Sequence, residues 1–316
     1  MKIKTIAIIG GTGFIGHHLT AKLANKGYDC RVITRHSHRH TDLKTSATLI
    51  EASVFDRSQM LHALRGVDAV INLVGILNES GRHSSFRRIH VNLVEQLIST
   101  CHEAGVKRYL HMSALNADQG QGTSQYLRTK GEGENRAHTL SQPHIAVTSF
   151  RPSVIFGTDD SFINRFSALL NIPGPMPLAC PKARFAPVHV EDVVDAMANA
   201  LELQSTHGRH FQLCGPDILS LRDIVKLVAY YRGKKKTIIG LPNWASRLMA
   251  SLLRFVPGKP LTPDNYLSLQ QDSVCSHNNM HELGIKAKSF KATIGAIIEN
   301  DTKNKQLNRF RKLSGR

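Results

Sequence analysis

Ile6-Ala-Ile-Ile-Gly10-Gly-Thr-Gly13-Phe-Ile-Gly16 decides how the rest of the chain is read. A short β-branched run, three glycines spaced three apart, and then His17-His-Leu-Thr-Ala-Lys-Leu read as strand, tight turn and helix. Such a turn is a cradle for a pyrophosphate. Gly10 permits the exit from the strand, Gly13 lets backbone approach the phosphates, and Gly16 lets the helix pack close to the strand. Thr12, Phe14 and Ile15 complete the loop, and the helix N-terminus offers free N–H groups and a partial positive charge. A dinucleotide is the expected ligand.

The pattern that follows is a repeated βα alternation, so the expected fold class is α/β: a doubly wound parallel sheet with a smaller C-terminal lobe. Cys30-Arg-Val-Ile-Thr34 reads as the second strand, and Arg35-His-Ser-His-Arg39-His follows it without an acid. At that strand end an acidic side chain suits a free ribose 2′-hydroxyl and an arginine suits a 2′-phosphate. NADP(H) is therefore expected over NAD(H), with Arg35 as the phosphate ligand and Arg39 behind it. Leu49-Ile-Glu-Ala-Ser53-Val54-Phe-Asp56 is a third strand ending in a helix N-cap at Asp56. Asp68-Ala-Val-Ile-Asn72-Leu73-Val74-Gly75 is apolar throughout, as a buried parallel strand should be, and its end should lie beside the nicotinamide ribose. A fifth strand runs from Val106 to Ser113.

Tyr126-Leu-Arg-Thr-Lys130 follows Ser113 by thirteen residues. Tyrosine and lysine four apart share one helix face, where an ammonium lowers a phenol's pKa, and a serine nearby could polarise a carbonyl. Ser113, Tyr126 and Lys130 are thus the expected catalytic set.

Together GGTGFIG, the Ser113, Tyr126 and Lys130 set, and Arg151-Pro-Ser-Val-Ile-Phe-Gly157 resemble the extended and atypical short-chain dehydrogenase/reductases. More narrowly, VINLVGIL, SALNAD with SQYLRTKGEGE, and Pro187-Val-His-Val-Glu-Asp192-Val-Val look like the dinucleotide-binding accessory subunit of respiratory complex I and its bacterial relatives. The resemblance runs from about residue 5 to 275. It implies a Rossmann domain with a small lobe and a bound NADP(H) of catalytic or structural use. Within that group an Asp often meets the adenine where Ser53 stands here, so Ser53 and Val54 are carried over as cofactor contacts in altered form.

Residues 1–157 are expected to form the dinucleotide-binding domain and 158–300 a substrate or partner lobe, with elements returning to the first domain. Residues 301–316 form a basic tail expected to be partly disordered. Forty-one Lys and Arg against 24 Asp and Glu give a formal charge of +17, which favours anionic partners without naming one. No aromatic interleaving marks a nucleic-acid module. Five scattered cysteines without a Cys-x-x-Cys pair read as reduced thiols, with no metal site. The apolar run after Lys2 and Lys4 is too short for a signal peptide, and no window would span a bilayer, so the expected location is cytoplasmic or peripheral to the inner face of a membrane. Trp244 to Phe255 carries apolar residues at helical spacing; packing on the lobe is the first expectation, membrane or partner docking the alternative. Two functions stay open: an oxidoreductase or epimerase/dehydratase-type enzyme on a small substrate, and a non-catalytic accessory or assembly factor for a respiratory or quinone-synthesising complex.

Overall fold

The central strands of the main sheet, Thr5–Ile9, Ala69–Asn72 and Arg108–Met112, are short and buried along their whole length, as a parallel sheet covered on both faces requires, while the edge strand Thr48–Glu51 is only partly covered. The computed structural model describes residues 3–313, with the side chains of Arg82 and of 302–313 outside the description. Two compact units emerge, one of Met1–Pro152, Glu191–Leu213 and Cys275–Lys286, the other of Ser153–Val190, Cys214–Val274 and Ala287–Arg316.

The first unit holds a seven-stranded sheet: β1 (Thr5–Ile9), β2 (Asp29–Thr34), β3 (Thr48–Glu51), β4 (Ala69–Asn72), β5 (Arg108–Met112), β6 (Ala146–Pro152) and β7 (Arg209–Leu213). Their spatial order is β7-β6-β5-β4-β1-β2-β3, with every pairing parallel. The direction of winding reverses between β1 and β4, and the crevice at their carboxyl ends is where such sheets bind ligands. Helices α1 (Phe14–Asn25), α2 (Arg57–Ala63), α3 (Leu93–Ala104), α4 (Gln125–Leu140) and α5 (Val190–Glu202) connect the strands. α5 packs on this unit, where His18 pairs with Glu191 and Lys22 with Asp195. On one face the core gathers Ile9, Val70, Leu97, Tyr109 and Val147, all fully or almost fully buried. Asp56 caps α2 by accepting from the Gln59 N–H at 3.0 Å.

The second unit contains three two-stranded pairings and a separate core around Phe156, Ile224, Val228, Phe290 and Ile294. Its last helix, Phe290–Leu313, carries the backbone of the expected tail in helical form; residues 314–316 lie outside the described residues. The Asn243–Leu253 helix departs from the lobe-packing expectation, because it buries Ser246 and Ala250 and leaves Trp244, Leu248 and Leu252 exposed. Spacing shows that a stripe exists, not which side of the helix the protein covers.

The cysteines correct the sequence reading. Cys30, Cys101 and Cys180 are free and buried, but Cys214 and Cys275 are disulfide-bonded. Two cysteines this far apart in sequence leave no local signal, so the reading of all five as reduced thiols falls with them. Among the described residues no helix is long and apolar enough to cross a membrane.

Candidate functional site

At the glycine turn the backbone needs what only glycine supplies. Gly10 sits at φ +85°, and a Cβ there would also press on Leu73 and Val74 at 3.3 Å, so the end of β4 closes directly on the turn. At Gly16 a Cβ would meet the Gly10 carbonyl oxygen at 2.4 Å and the Gly11 Cα at 2.5 Å. The Gly13 N–H donates to the Gly10 carbonyl at 3.0 Å, and Gly13, itself exposed, is the N-cap of α1 with no side chain capping it. The first turn of α1 therefore presents its N–H groups outward, which suits a phosphate. Thr12, Phe14 and Ile15 are half-buried around the turn, and the Phe14 ring meets the His18 ring edge-on.

The adenosine end differs from the sequence reading in one respect. Arg35 follows β2 directly, is exposed, and has no ion-pair partner among the described residues. An acid does stand nearby, contributed by the neighbouring strand: Glu51 pairs in register with Thr34 and accepts from both the N–H and the hydroxyl of Ser37, at 3.0 and 2.6 Å. Those bonds hold its carboxyl below the usual range, with His38 and His36 adding to the effect. Glu51 is thus committed to the basic loop. Ser53, half-buried, donates its N–H to Gln59 Oε1 at 2.8 Å, and its hydroxyl accepts from the Phe55 N–H at 3.4 Å. Val54 packs against the core and accepts from Gln96 through its carbonyl.

Lys130 is strongly perturbed. It is buried, and its ammonium donates to the Met112 carbonyl at 2.5 Å, the last residue of β5 before Ser113. Burial pushes its pKa from 10.5 down to about 8, and only the Glu134 charge pulls it back. A Cβ on Gly75 would lie 3.7 Å from this ammonium and 3.8 Å from His90 Nε2, so Gly75, Lys130 and His90 converge. Tyr126, half-buried one turn before Lys130 on α4, meets the rings of His90 and Phe86 at 5.6 and 6.1 Å.

His90, Glu134 and Arg151 carry roles that the sequence reading did not assign. His90 lies in a π-turn, Arg88–Asn92, and Gly133 lets α4 approach so closely that a Cβ there would sit 1.8 Å from the His90 carbonyl oxygen. Its Nε2 accepts from the Ile76 N–H at 3.1 Å, which leaves the proton on Nδ1, 3.0 Å from the Thr129 hydroxyl. Burial and the Lys130 charge lower its pKa to about 2. Glu134, two turns along α4 from Tyr126, is buried and accepts from Ser113 Oγ at 2.6 Å; Arg151 Nε donates to both its oxygens at 2.9 and 3.0 Å. The Ser113 proton is therefore directed at Glu134 rather than at a substrate carbonyl. Only the helical spacing of Glu134 from Tyr126 and Lys130 could have pointed to this.

The model of the NAD dependent epimerase/dehydratase family matches residues 6–214, a span that contains the glycine turn, the switch point and the whole Tyr126 to Glu134 face. The chain belongs to that family. Its members bind NAD(P) dinucleotides, and the crevice described above is the family's binding fold. Among curated proteins the chain is 29% identical over 263 residues to the mouse (Mus musculus) mitochondrial NADH dehydrogenase [ubiquinone] 1 alpha subcomplex subunit 9, covering 81% of this chain and 68% of that protein. It is 23% identical over 239 residues to the ceramide reductase of Caulobacter vibrioides, covering 75% and 74%. A UDP-glucose 4-epimerase from Thermotoga maritima has the same fold, with a TM-score of 0.75 at 19% identity over 95% of this chain and 99% of that one.

Proposed function

We propose that the protein is an NADP(H)-dependent oxidoreductase or epimerase/dehydratase-type enzyme acting on a small molecule at the carboxyl ends of β4 and β5. The observation that carries this reading is Lys130: a buried ammonium anchored on the Met112 carbonyl, beside Gly75 and one turn from Tyr126. Gly10, Thr12, Gly13, Phe14, Ile15 and Gly16 would hold the pyrophosphate, Leu73, Val74 and Gly75 the nicotinamide ribose, Ser53 and Val54 the adenine, and Arg35 the 2′-phosphate. A bound nicotinamide supplies the two-electron redox chemistry. Tyr126 would exchange a proton with the substrate oxygen, since a cation one helical turn away favours release of a phenol's proton. Lys130 would both bind the ribose and supply that cation. Ser113, with its O–H donated to Glu134, has lone pairs left to offer, so it would accept from a substrate hydroxyl, and Tyr126 would be the donor to a carbonyl.

A second reading has its own support. The commitment of Ser113 to Glu134 and the relatedness to a complex I subunit favour a nucleotide bound for stability in an accessory or assembly factor. Tyr126→Phe separates the two. In the enzyme, turnover over a panel of carbonyls, quinones and sugar nucleotides falls roughly 10²–10⁴-fold while the NADPH-induced thermal shift is kept. Absence of turnover in the unaltered protein, with a large NADPH-dependent shift, would leave the accessory reading standing.

A further inference from the structure

We infer that the Asn243–Leu253 helix is an interfacial docking element for the surface of an anionic bilayer. Trp244, Leu248, Leu252 and Phe255 follow one another at spacings of four, four and three, which places them on one stripe of the helix and its first following residues. Their exposures are 73, 54, 63 and 80%. The residues the helix does bury are small, Ser246 and Ala250, both at 0%. A helix of a globular protein ordinarily does the reverse, turning its large apolar side chains inward. Contiguous exposed apolar area of this kind marks an interaction surface.

Charge names the partner. From 233 to 263 the chain carries six Lys or Arg and no Asp or Glu. Lys234, Lys235, Arg247 and Arg254 are exposed, and the Arg254 guanidinium lies 5.2 Å from the centroid of the Phe255 ring. Arg247 and Arg254 beside an aromatic and leucine stripe, on a stretch whose first acid is Asp264 of the following Pro263–Ser268 helix, complement a continuous sheet of negative headgroups over hydrocarbon, where Trp and Phe settle at the boundary and arginine stems reach back to the phosphates. A protein partner would need matched acids at particular positions, whereas a bilayer needs only the sign. The inference is independent of the nucleotide reading, since it uses no residue of the crevice.

Trp244 is the chain's single tryptophan, so its emission reports this helix alone. The full-length protein is mixed at low salt with vesicles of phosphatidylcholine, with and without phosphatidylglycerol. A blue shift of Trp244 emission, quenching by lipids brominated on their acyl chains, and co-sedimentation with the phosphatidylglycerol vesicles are expected. Affinity should fall at least tenfold at high salt. Leu248→Ser with Leu252→Ser keeps the reporter and should also weaken binding at least tenfold without altering the circular-dichroism melt. Arg247→Gln with Arg254→Gln should erase the preference for phosphatidylglycerol. Unshifted emission with all vesicles at low salt overturns the inference. So does binding that survives the double serine variant, or a concentration-dependent dimer that the same variant abolishes, which would make a second copy the occupant.

Discussion

Replacing Lys130 by methionine isolates the charge on which the proposed chemistry rests. The ammonium has an ordinary pKa of 10.5 and a folded value of about 8, lowered by burial. At neutral pH the lysine is charged in both states, and that difference amounts to about 3 kcal/mol of destabilisation. Methionine fills similar volume and removes it, but leaves the Met112 carbonyl without its donor, at a cost of about 1–3 kcal/mol. The variant should therefore fold with stability within about 2 kcal/mol of the unaltered protein near pH 7. The sign of the pH effect is fixed. Below about pH 8 the penalty is fully present; between about 8 and 10.5 the folded protein has lost the proton and the unfolded chain has not, so stability rises with pH. The unaltered protein should gain about 2 kcal/mol relative to the variant on going from about pH 7 to about pH 9.5. Urea melts of both proteins at the two pH values measure this directly, and NADPH titration of the folded variant should show weakened binding. Parallel stability curves for the two proteins would refute the account of Lys130 as a buried, strained charge.

Arg35→Ala should lower NADPH affinity by tenfold or more while leaving NADH nearly unchanged, as measured by cofactor fluorescence; equal losses for both would mean that the guanidinium does not meet the 2′-phosphate. Gly16→Ala would set a methyl 2.4 Å from the Gly10 carbonyl oxygen, so α1 must shift off the turn, and the NADPH-induced thermal shift should vanish even where the protein still folds.

Most of the sheet was legible because parallel strands leave continuous apolar runs and the glycine turn fixes where the first one ends. The runs read as opening at Ile6, Cys30, Asp68 and Val106 contain β1, β2, β4 and β5, which begin at Thr5, Asp29, Ala69 and Arg108, within two residues of each. The site was legible only along single elements. Tyr126 and Lys130 share a helix face by spacing, but the Glu134 carboxylate that accepts the Ser113 hydrogen bond also requires β6 to deliver Arg151 beside it, and no local pattern encodes that meeting. Glu51 was missed for a similar reason: it reaches the loop after β2 across a strand boundary, through a register that sequence alone does not print. The stripe at Trp244 shows the complementary limit, since periodicity is identical for a buried and an exposed face.

The π-turn around His90 has a consequence for how the crevice responds to acid. The His90 ring meets Tyr126, and both its nitrogens are already engaged, one receiving the Ile76 amide and one facing Thr129. With its pKa lowered to about 2, it stays an uncharged spacer through the whole range in which imidazoles usually act as sensors. The crevice is thereby deaf to mild acidification at this ring, and the titration it registers there is an alkaline one, at the Lys130 amine that shares the space over Gly75 with it.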